Sequence, residues 1–335
     1  MPDSRTQTTA EQTDALFDRY TLLKVALTVI LLAALVGTWV STRLSGTTAP
    51  IVPVAKWAYF VALGVLTGGL VWKHLFVRPS DLGDEAAGYC AEMYDRFDRI
   101  ALGSIAVFVV GGAVVLWEYL SAFGRTAGVL GYAALVGAWL ALAVVTTRRS
   151  GSVERQFRSP IGLAGLALAL AVVVATATAD VAMRSLDPIA VGVRILHLTA
   201  FAVWIGGAVW NIFVAVPTGQ KRPTIGVVRA AGQQLERFRW AVRFIIPTLL
   251  VTGLFQAVDS LGTAVASYLG SGVGVAVLAK VGFVGLLVVI LKLCPMWRAC
   301  SPIEGVCELD EVGESDPGEN EPADDDPLTE VTSDD

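Results

Sequence analysis

Charge is the first thing in short supply. Only 16% of the 335 residues are Asp, Glu, Lys or Arg, against 54% that are hydrophobic. Soluble domains carry about 25% charged residues, so a water-soluble globular class is excluded. Ligand-type side chains are scarce too, with two His and four Cys in the whole chain. No glycine-rich phosphate loop is present, which argues against ATP-driven pumping by this chain alone. No Ser, His and Asp stand in a catalytic context, and no enzymatic activity is expected.

What is abundant is apolar sequence in long runs. About 20 apolar residues cross a bilayer, and eight such spans are read at Thr21–Val40, Trp57–Val77, Ile100–Leu120, Ala127–Val145, Ile161–Ala179, Ala190–Val216, Trp240–Val258 and Val273–Leu291. The expected class is an all-α integral membrane protein with the lipid bilayer as its surroundings. The first twenty residues are polar and do not read as a cleavable signal, so the first span is expected to stay in the mature protein.

Lys and Arg are retained on the cytoplasmic side. With both termini inside, one set of loops holds most of them, and the other set holds only Arg43, Lys56, Arg125 and Arg184. The expectation is therefore a multi-pass protein of the cytoplasmic membrane with cytoplasmic N- and C-termini. The formal charge of −5 conceals an acidic tail: from Glu308 onward acids occur with no Lys or Arg. That tail, interrupted by Pro317, Pro322 and Pro327, lacks the apolar surface to fold. Topology accounts for the basic residues, so a nucleic-acid partner is not expected.

An internal repeat organises the chain. A shift of 138 carries Gly68, Gly69, Trp72 and Pro79 onto Gly206, Gly207, Trp210 and Pro217. A shift of 141 carries Arg96, Phe97, Gly112 and Glu118 onto Arg237, Phe238, Gly253 and Asp259. Four helices per copy is an even number, so the expected plan is two tandem parallel four-helix repeats related by an axis along the membrane normal. The boundaries read as a 1–20 cytoplasmic segment, repeats at 21–147 and 160–293, and a 294–335 cytoplasmic Cys cluster with its acidic tail.

The second repeat departs from the first where chemistry is expected, since His197 replaces Tyr59 and Trp204 replaces Leu66. Gly206 and Gly207 read as helix-packing residues. An ionisable His inside a span either lines a cavity or pathway or makes an interhelical hydrogen bond. Lys280 interrupts the last span at a similar depth and needs a partner. Asp259 is the expected acid, with Arg194 one turn from His197 and Glu118 at the matching place in the first repeat.

The string Arg194-x-x-His197 with Trp204-x-Gly206-Gly207, then Arg237-Phe238, Val251-Thr252-Gly253 and Ala279-Lys280, resembles the CopD copper-resistance family of membrane proteins. The resemblance covers roughly residues 191–293. It implies copper import across the cytoplasmic membrane, a copper ion as cargo and an extracytoplasmic copper-binding partner protein. Soft ligands fit that expectation: Cys294, Met296, Cys300 and Cys307 cluster on the cytoplasmic side, with Cys90 and Met93 also there. Met183 and Asp180, just before His197, are expected to complete a metal-uptake site with it. The rival readings are a b-type haem or quinone-linked redox protein and a non-transporting membrane sensor or scaffold. A bis-His haem is disfavoured, because His74 and His197 fall at depths about 22 Å apart by helical rise.

Overall fold

The computed structural model describes residues 19–77, 84–148, 152–221 and 224–293. They form eight helices long and apolar enough to cross a membrane. These are α1 (Arg19–Leu44), α2 (Ile51–Val71), α3 (Asp84–Phe123), α4 (Ala127–Thr147), α5 (Pro160–Ala182), α6 (Pro188–Val209), α7 (Ile225–Leu261) and α8 (Gly272–Leu293). Among the described residues there is no strand. Local chemistry sets several starts: Ser159 Oγ accepts from Gly162 N ahead of Pro160, and the Asp187 carboxylate accepts from Ala190 N ahead of Pro188.

Two helices greatly exceed the expected spans. The apolar run predicts a third span over Ile100–Leu120, yet α3 runs for 40 residues, about 60 Å against a hydrocarbon core of about 30 Å. Its polar first half stays helical because Tyr89, Cys90, Met93, Tyr94 and Phe97 recur every three or four residues as a buried stripe. The seventh span, expected at Trp240–Val258, likewise begins early as α7 at Ile225. Cys90 and Met93 are thus core residues, 1% and 0% exposed, rather than an accessible soft-ligand pair.

Helix α2 is central. Two thirds of its apolar window is buried (67%), against 11% for α8 at the periphery. It crosses α6 at paired glycines, where a Cβ on Gly206 would fall on the backbone of Gly68, and one on Gly68 would meet Ala202 O. Without a hydrophobic drive between helices in lipid, such backbone contact is what the missing side chains permit. Both helices then loosen into a π-helical turn beginning at a tryptophan, Trp72–Phe76 after α2 and Trp210–Ala215 after α6.

The two halves lock reciprocally at these turns. Trp72 packs on Phe238 of α7 with ring centroids 5.5 Å apart, and Trp210 packs on Phe97 of α3 at 5.2 Å. Arg237 donates to Phe76 O at 2.6 Å, and Arg96 donates to Phe213 O. Each Arg-Phe pair therefore caps and covers the π turn of the opposite half. At the other end of the bundle α3 and α7 both stop at a glycine with positive φ, Gly124 at +68° and Gly262 at +73°. Helix α4 packs on α5, and α8 packs on α1.

Candidate functional site

A cleft of about 100 Å³ opens at the end of the bundle opposite the π turns, between the last turns of α1, α5 and α7 and the first turns of α2, α6 and α8. Its wall on α7 is the stripe Gly253, Gln256, Ala257, Ser260 and Leu261, spaced as one helical face. Helix α6 contributes Arg194 and His197, one turn apart, and α8 contributes Lys280.

Asp180, near the end of α5, is the anchor. Its Oδ1 lies 2.8 Å from Lys56 Nζ and accepts the Tyr119 hydroxyl at 3.1 Å, while Oδ2 lies 2.7 Å from Arg194 Nη2. Lys56 also reaches Glu118 Oε2 at 3.1 Å, and Glu118 Oε1 accepts from Thr47 at 3.2 Å. Lys56 and Glu118 are 2% and 4% exposed, so this is a buried, charge-balanced quartet of two bases and two acids. It straddles both halves and ties α2 and α3 to α5 and α6.

His197 is half-buried and pairs with Thr252 of α7, Nδ1 to Oγ1 at 2.8 Å. The Thr252 hydroxyl proton is already given to Thr248 O one turn back, so its oxygen acts as acceptor and Nδ1–H as donor. Nε2 then keeps its lone pair. The two alternatives for this His are both realised, since it makes an interhelical hydrogen bond and also lines a cleft. Arg194 Nη1 donates to Gln256 Oε1 at 3.2 Å, a second tie from α6 to α7.

Several expectations are corrected by this geometry. Asp259 does not hold Lys280: it lies off the α7 lining stripe and is exposed, whereas depth along the helix had suggested a pairing. Lys280 enters no ion pair among the described residues, and its ammonium instead lies against Gly37 of α1, where a Cβ would stand 2.8 Å from Nζ. Asp180 is no open metal ligand, because both its oxygens are taken by cations and a phenol. Met183 ends α5 packed against the hydrophobic core and does not line the cleft. Among the described residues, no three His, Cys, Asp or Glu come together as a metal set.

Trp204, Gly206 and Gly207 are packing residues, with Trp204 lying against the core around α1 and α6 and a Cβ on Gly207 meeting Trp72 Nε1 at 2.5 Å. Cys294, Met296, Cys300 and Cys307 lie outside the described residues. His74 is 3% exposed and lines a separate cavity of about 220 Å³ at the opposite end, so the two histidines serve different places. Sequence reasoning missed Lys56, Arg184 and Gln256, which are isolated polar residues at span ends until the helices pack. The comparisons with family models, with curated proteins and with solved structures give no match for this chain.

Proposed function

We propose that this chain is a copper-handling protein of the cytoplasmic membrane that takes copper in at the cleft around His197. The observation that supports the reading is convergence. Arg194 and His197 of α6, Gly253 of α7 and Lys280 of α8 come from three separate helices, in the pattern that resembles the CopD family, and they meet at one cleft, with Thr252 bonded to His197 behind it. Neutral imidazole suits copper, and an acceptor on Nδ1–H, here the Thr252 hydroxyl oxygen, is how a protein fixes the tautomer that presents Nε2 to a metal. One imidazole is an incomplete ligand set, so the remaining donors come with the cargo or from an extracytoplasmic copper-binding partner.

The same proposal sets the cleft outward and both termini in the cytoplasm, supported by the gathering of Lys and Arg at the π-turn end. It also takes the scaffold as two tandem parallel four-helix repeats. The reciprocal Trp-Phe and Arg-carbonyl pairs and the matched terminal glycines support that arrangement.

Copper accumulation by vesicles carrying wild type or His197→Ala tests the function. The expected result is uptake by wild type and a fall to background in the variant. Equal accumulation by both sinks the copper reading, and a Soret band in purified protein would replace it with the haem alternative.

A further inference from the structure

The charges of the cleft do not balance once its ion pairs are formed. Lys56 and Arg194 are matched by Asp180 and Glu118. That leaves Lys280 inside and Arg184 at the mouth, where Arg184 Nη1 donates to Ser260 Oγ at 2.9 Å and meets no acid among the described residues. Lys280 does not escape to the membrane surface as long cationic side chains usually do. Its ammonium points across to Gly37, seven residues or about 10 Å short of the end of α1 at Leu44. A cation held at that depth is costly unless a counter-charge reaches it.

From this we infer that the cleft is a binding site for a small anion, whose charge is met by Lys280 after passage beneath Arg184. The space of about 100 Å³ suits an anionic oxygen group of acetate to phosphate size rather than a large polycarboxylate. Gly37 makes room for the ammonium itself inside the cleft, since a Cβ there would stand 2.8 Å from Nζ. Arg184, exposed at the rim, concentrates anions at the mouth. The anion is distinct from the copper of the reading above and does not depend on it, because Nε2 of His197 offers a lone pair, which a metal accepts and an anion does not.

The test is thermal unfolding of the full chain in nanodiscs of zwitterionic lipid, in gluconate buffer at constant ionic strength. Acetate and inorganic phosphate are titrated separately. At about a hundred times Kd, one of them should raise the midpoint by about 5 °C. The rise should vanish in Lys280→Met, persist in Lys280→Arg and need several-fold more anion in Arg184→Gln. Gly37→Leu, which takes the room of the ammonium from the opposite helix, should abolish it even if Lys280→Met does not fold.

No shift in wild type with either anion, or an undiminished shift in Lys280→Met or Gly37→Leu, overturns the inference. A midpoint already raised in anionic-lipid nanodiscs, and insensitive there to added salt, identifies a lipid headgroup as the source of the same anionic group. His197→Ala should keep the anion response. Loss of copper uptake together with an intact anion shift in that variant separates the two readings.

Discussion

Asp180 is the residue on which the cleft turns. Two bases and a buried phenol converge on one carboxylate, so removing its charge leaves Arg194 without an acid and Lys56 with Glu118 alone. Breaking a buried ion pair by neutralising one partner costs about 3–5 kcal/mol. Asp180→Asn should therefore lower the thermal midpoint sharply in detergent, and a change under about 1 kcal/mol would show that water reaches the quartet. Asp259 is the natural contrast. Exposed and off the lining stripe, Asp259→Ala should stay within about 0.5 kcal/mol of wild type in the same assay. Both residues sit near a helix end at similar depth. Only the direction around the helix axis separates them, and a helix turns that direction by a full face within two residues.

At the scale of helices, the α2–α6 crossing carries the structure. Gly206 has no room for a Cβ because Gly68 and Gly69 backbone atoms occupy it. Gly206→Val should force these helices apart and cost about 1–3 kcal/mol, the usual range for overpacking, or prevent assembly. Gly192, also in α6, has nothing within 4 Å of its Cβ direction. Gly192→Ala should leave the midpoint unchanged or slightly raised, since Ala favours helix over Gly by about 1 kcal/mol. If both variants unfold alike, the crossing is not held by backbone approach. The glycine pair and the Arg-Phe motif are visible in the sequence as repeated words. Their role was not: neither word says that each Arg-Phe reaches across to the other half's π turn.

For the whole molecule, an even number of spans places both described ends on one side and the Gly46, Gly124 and Gly262 turns together on the other. On the orientation proposed above, single cysteines at these three turns, introduced with the native cysteines replaced by serine, should all react with a membrane-impermeant maleimide in intact cells. Labelling only after permeabilisation would reverse the orientation, and labelling of one turn but not its neighbours would break the eight-span count. The long extensions of α3 and α7 should then project into the cytoplasm beyond the bilayer.

The amino-acid sequence by itself determined the class, the eight spans and the residues worth watching, because apolar runs, prolines and an ionisable group inside a span are signals carried along one dimension. It placed His197, Arg194 and Lys280 at compatible depths for the same reason. What only the tertiary structure decided is who meets whom. The acid of the cleft is Asp180 rather than Asp259, Lys56 and Glu118 come from the other half to complete the quartet, and Lys280 faces Gly37 with no acid beside it among the described residues. Those outcomes depend on the angular position of each side chain and on which helices are neighbours, and helix packing settles both together.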